Sequence, residues 1–86
     1  MVSNQIFRER YQSLAESEDL TLAEVALRLG WYSLDRRTGN RKPDSSRVSR
    51  VLGIASLGGE RRQKITEAHA VELCNALHLE YWQAGV

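Results

Sequence analysis

The sequence predicts a compact all-α domain of four to five helices. Apolar residues recur at three- and four-residue steps in four separate stretches, and helix start and stop signals bracket those stretches. The two segments without this spacing, Trp31 to Pro43 and Ile54 to Lys64, each offer a hairpin through a glycine-containing turn. Neither alternates cleanly enough to be read as strands, so both are taken as basic loops. At 86 residues the chain has room for one core. A domain this short buries only about 60% of the surface that its unfolded form exposes, and residues 1–86 are read as a single domain.

In the first stretch Phe7, Tyr11 and Leu14 step by four and three, which fits a helix from about Asn4 to Ser17 with Ser3 as its cap. The second carries the clearest local signal. Thr21-Leu22-Ala23-Glu24 is a capping box, in which the threonine oxygen accepts from the Glu24 N–H and the glutamate reaches back, with Leu20 and Val25 at the staple positions. Leu22, Val25, Ala26 and Leu29 form a core face, and Gly30 stands where a helix ending wants a left-handed residue. The third runs from Asp44 or Ser45 to Gly53, with Val48, Val51 and Leu52 on its apolar face and Ser46, Arg47, Ser49 and Arg50 outward. The fourth starts at a Thr66 cap and lines up Ala70, Leu73, Cys74 and Leu77. A short last helix over Glu80–Ala84 ends at Gly85.

Composition removes several function classes. With 42% hydrophobic and 27% charged residues the chain is ordinary globular material. A single cysteine, Cys74, excludes an internal disulfide framework and is expected to pack as a small hydrophobe. His69 and His78 have no acidic or cysteine partners at ligand spacing, so no metal site is expected. No glycine-rich phosphate loop, carboxylate pair or triad is present. The expectation is a non-enzyme without cofactor or small-molecule ligand. No apolar run approaches a membrane span, and the first residues do not resemble a secretory signal. The expected compartment is the cytoplasm.

The net charge of +1 hides its distribution. Residues 1–34 hold three arginines against five carboxylates, and residues 65–86 hold three glutamates and no lysine or arginine. Residues 35–64 hold nine cations against three carboxylates, a net +6. Such separation focuses positive potential on one part of a small domain, and a polyanion is its natural partner.

A short capped helix ending in glycine, followed by a short helix with serine and arginine on its outer face, supplies the parts of a helix-turn-helix. Ala26 is the small residue that lets a second helix cross close above the first, and Val48 and Val51 lock that second helix in place. Its exposed N-terminal half then offers Ser45, Ser46, Arg47, Ser49 and Arg50 to base edges in duplex DNA. Leu20 to Gly30 resembles the second helix of the phage repressor/Cro-type helix-turn-helix family, and Ile65 to Glu80 is similar to its closing helices. The resemblance implies an all-α DNA-binding domain, a repressor or Cro-like regulator whose third helix enters the major groove, often as a homodimer on a two-fold operator. For a phage-encoded regulator the compartment would be the host cytoplasm or nucleoid.

The chain departs from that pattern between Gly30 and Val48, where about a dozen residues, Trp31 to Lys42, are inserted. The recognition helix is read as Ser45–Leu52, with Ser33–Thr38 as the alternative. The insertion supplies a basic arm of Arg36, Arg37, Arg41 and Lys42 for phosphates or a minor groove, and Arg61, Arg62 and Lys64 are further phosphate candidates. Trp31 and Tyr32 are read as core or hinge packing, and Tyr81 and Trp82 as core packing or a dimer surface. Two other functions fit the same scaffold. One is an excisionase-like winged helix with Leu57–Lys64 as its wing, and the other is a protein-interaction module.

Overall fold

A computed structural model describes residues 1–54 and 63–86. In chain order the elements are β1 (Val2–Ser3), α1 (Gln5–Glu18), α2 (Leu22–Leu29), β2 (Tyr32–Leu34), β3 (Arg41–Pro43), α3 (Ser45–Leu52), β4 (Lys64–Ile65), α4 (Glu67–Leu77) and a 3-10 turn at Tyr81–Ala84. The strands form two small antiparallel sheets, β1 with β4 and β2 with β3. The fold is therefore α+β, and the all-α expectation is wrong. What overturns it is pairing between strands of only two or three residues, too short to carry a strand-length pattern of their own.

The local signals act where the sequence put them. The Thr21 hydroxyl accepts from the Glu24 N–H at 3.1 Å and starts α2. Only this half of the capping box is seen, because the Glu24 carboxylate lies 4.0 Å from Arg28 Nε instead. Asp44 caps α3 through the Arg47 N–H at 3.1 Å, and Thr66 caps α4 through the His69 N–H at 3.2 Å. Each such cap contributes about 1 kcal/mol. Gly30 ends α2 at φ +72°, a conformation that costs glycine little and a side chain more.

The core is built from one face of each helix: Phe7 and Leu14 of α1, Val25 and Ala26 of α2, Val48, Val51 and Leu52 of α3, and Ala70, Leu73, Cys74 and Leu77 of α4. Leu20, Trp31 and Ile65 fill the gaps between them. Ala26 is fully buried, as a crossing of α3 over α2 requires.

The start of α1 differs from expectation. Asn4, not Ser3, is its N-cap residue, and it is buried. Its side-chain Nδ2 donates to the carbonyl of Val51 at 2.9 Å, and its backbone N–H donates to the Gln63 carbonyl at 3.0 Å. One polar residue thus joins α1, α3 and the approach to β4. Removing a buried donor leaves its acceptor without compensation, which costs about 1–3 kcal/mol. Asn4→Ala should lower unfolding stability by that amount, read as a fall in the urea midpoint with an unchanged slope. A midpoint equal to wild type would contradict the role given to Asn4.

Candidate nucleic-acid interface

The residues between α2 and α3 form a hairpin whose base is tied to both helices. The Trp31 N–H donates to the Ala26 carbonyl at 2.9 Å, and the Gly30 N–H donates to Leu27 at 3.2 Å. These two bonds satisfy the Ala26 and Leu27 carbonyls in the last turn of α2. The Trp31 carbonyl then accepts from the N–H of Asp44, the N-cap residue of α3, at 3.0 Å. The peptide groups of one residue therefore end α2 and fix the start of α3. The residues between them are looped out, and α3 packs directly on α2.

Beyond that base the strands pair Tyr32 with Pro43, Ser33 with Lys42 and Leu34 with Arg41. The alternative recognition helix at Ser33–Thr38 is thereby excluded, since those residues are strand and turn. The tip is closed by the Asp35 N–H to Asn40 at 2.8 Å and the Gly39 N–H to Asp35 at 2.7 Å. The Asp35 carboxylate accepts from the Arg37 N–H at 2.9 Å, and Gly39 takes φ +72°. Positions 36–42 are all exposed, so Arg36 and Arg37 stand at the tip and Arg41 and Lys42 on the returning strand. At about 3.3 Å per residue the tip stands about 15 Å from the base.

On α3 the outward arc carries Ser46, Arg47 and Arg50, all exposed, while Ser45 is half-buried. Ser49 does not belong with them. It is only 8% exposed, because the helical period turns it toward the side that holds Ser45, Val48 and Leu52. Its carbonyl is also occupied, accepting from the Ile54 N–H at 3.0 Å where α3 ends. Ser49 therefore faces the interior and is not presented to a base edge. Lys64 is exposed but lies in β4. That strand pairs with β1, next to Asn4 and Arg8 at the C-terminal end of α3, so Lys64 is not gathered with the hairpin cations. Arg61 and Arg62 lie outside the described residues, as does most of the candidate wing at Leu57–Lys64.

The arginines fall into two groups that sequence reasoning did not separate. Those of residues 1–34 are tied down. Arg8 donates to the Leu52 carbonyl at 3.3 Å, Arg10 to Leu77 at 3.0 Å and Arg28 to Ala76 at 3.0 Å. Each cation sits on the C-terminal carbonyls of α3 or α4, where the helix dipole favours positive charge. By contrast Arg36, Arg37, Arg41, Lys42, Arg47, Arg50 and Lys64 have no carboxylate partner among the described residues. Asp35 and Asp44 turn toward backbone N–H groups instead. The first turn of α3 contains no acidic residue, whereas those of α2 and α4 contain Glu24 and Glu67.

Trp31 contributes more than its backbone. Its ring is buried, and the Arg47 guanidinium lies over it at 4.2 Å from the ring centroid. His69 of α4 meets the same ring at 5.2 Å with an interplanar angle of 63°. Tyr32 is 48% exposed, so of this pair only Trp31 is core. Trp82 is 76% exposed, and Tyr81, half-exposed, donates its hydroxyl to Asn75 at 3.1 Å. Comparisons with protein-family profiles, curated proteins and solved structures gave no match.

No helix among the described residues is long and apolar enough to cross a membrane. Cys74 is buried in α4, and burial pushes its thiol pKa up. Since the thiolate is the reactive form, alkylation of Cys74 at pH 8 should be slower than that of a free cysteine peptide. It should reach the peptide's rate in unfolding concentrations of urea, as read by mass spectrometry. Equal rates without urea would contradict the packing given for α4.

Proposed function

We propose that the chain binds double-stranded DNA sequence-specifically, as a small repressor or Cro-like transcriptional regulator, and that it is a binding protein and not an enzyme. The outer face of α3 enters the major groove from its N-terminal end, where Arg47 of the first turn and Arg50 of the last turn read base edges, with Ser46 on bases or phosphate. Arg36, Arg37, Arg41 and Lys42 carry the hairpin along the flanking backbone. Its reach of about 15 Å exceeds the major groove's width of about 12 Å. The observation that carries the reading is the division among cations. Those outside the basic segment hold helix ends, while those on the hairpin and the outer face of α3 are exposed and have no carboxylate partner among the described residues.

The resemblance to repressor/Cro-type proteins supports the same assignment, because the hairpin leaves α2 and α3 adjacent despite the insertion. The reading extends to a homodimer joined through the exposed Tyr81 and Trp82, which would set two α3 helices on a two-fold site.

Selection from a random duplex pool should yield a consensus. A palindrome is expected for the dimer, and a lone half-site would contradict it. On the selected duplex, Arg47→Ala and Arg50→Ala should each cost about 1–3 kcal/mol. Arm substitutions should weaken all duplexes alike and reduce the slope of log affinity against log salt by about one unit per cation. Binding to no duplex at either ~50 or ~200 mM salt, with the chain folded, would overturn the proposal in favour of a protein-interaction module.

A further inference from the structure

We infer that Trp31 is a positioning residue that holds Arg47 as a fixed reader of guanine; the inference rests on the duplex-DNA reading above. An arginine on a surface helix ordinarily samples many rotamers and accepts many partners. Here the guanidinium is seated 4.2 Å from the centroid of a ring that has little freedom to move. Trp31 is 6% exposed, its N–H and carbonyl are bonded to Ala26 and Asp44, and His69 meets the ring from α4. Among the described residues no other cation is stacked on a ring in this way.

A guanidinium carbon held over a ring face anchors the head of the side chain, and N–H groups that are not turned toward the ring stay available to a partner. Arg47 is exposed and lies in the first turn of α3, the part that enters the groove in the proposed complex. Guanine offers two acceptors on its major-groove edge, O6 and N7, which a planar fork of donors matches. Adenine offers one acceptor and one donor, and its donor opposes the fork. A fork held in one plane therefore discriminates between the purines more sharply than a mobile one. Arg50 lies on the same exposed face without a ring beneath it among the described residues, which makes it the internal comparison.

The test uses the duplex selected by the wild-type chain, with each guanine replaced in turn by 7-deazaguanine. That base keeps O6 and its pairing but presents C–H in place of N7. Wild type should lose about tenfold in affinity at one guanine. Arg47→Ala should bind more weakly and be indifferent to that replacement. Trp31→Phe, which keeps a smaller ring, should lose most of the discrimination while binding mixed-sequence duplex within about twofold of wild type. Indifference of wild type at every guanine would overturn the inference. So would a Trp31→Phe variant that weakens selected and mixed duplexes equally, since that marks a merely structural role.

A second readout does not depend on the variant folding. In the wild-type NMR spectrum the Arg47 side-chain protons should be shifted upfield by the indole, and should stay so in the complex. Their return to ordinary positions on DNA binding would also overturn the inference. Failure of the selection to capture any duplex would instead overturn the DNA-binding reading, and this inference with it.

Discussion

The structure depends on the way Trp31 joins α2 to α3. Its N–H closes α2 on Ala26, its carbonyl sets the N-cap residue of α3, and its ring lies between Arg47 of α3 and His69 of α4. Each contact is modest alone. Together they let twelve residues leave and re-enter the helical pair without separating its members. Without the clamp, the entropy of the intervening loop would oppose the docking of α3 on α2.

A second consequence follows for electrostatics. Arg8, Arg10 and Arg28 are each engaged by helix C-terminal carbonyls, so their charges serve the packing of α1 and α2 against α3 and α4. Among the described residues the cations without a carboxylate partner are those of the hairpin and the outer arc of α3, which meet at Asp44, and Lys64 of β4. Because the hairpin immediately precedes α3, it stands beside the end of the helix proposed to touch bases.

Local chemistry made much of this legible. The bounds of α2 and α3 were readable because Thr21 and Gly30, and Asp44 and Gly53, act within a few residues of themselves. The hairpin was only half readable. Its glycine turn was evident, but Tyr32 and Leu34 are exposed, so no burial pattern marked the strands. The pairing of Val2 with Ile65 joins two-residue strands from opposite parts of the chain and leaves no local trace. Ser49 was misplaced because an eight-residue helix with three buried hydrophobics leaves its flanking positions ambiguous. The Arg47–Trp31 stack spans sixteen residues across the insertion, and nothing in spacing alone marks it.

The central claim is that α3 and the hairpin before it form one DNA-contacting surface. Its most direct test is an amide NMR titration of the chain with its selected duplex. The account predicts the largest shifts and broadening at 36–42 and 45–50, with the exposed acidic positions Glu9 and Glu16 of α1 unmoved. Saturable binding that leaves 45–50 unmoved would contradict it.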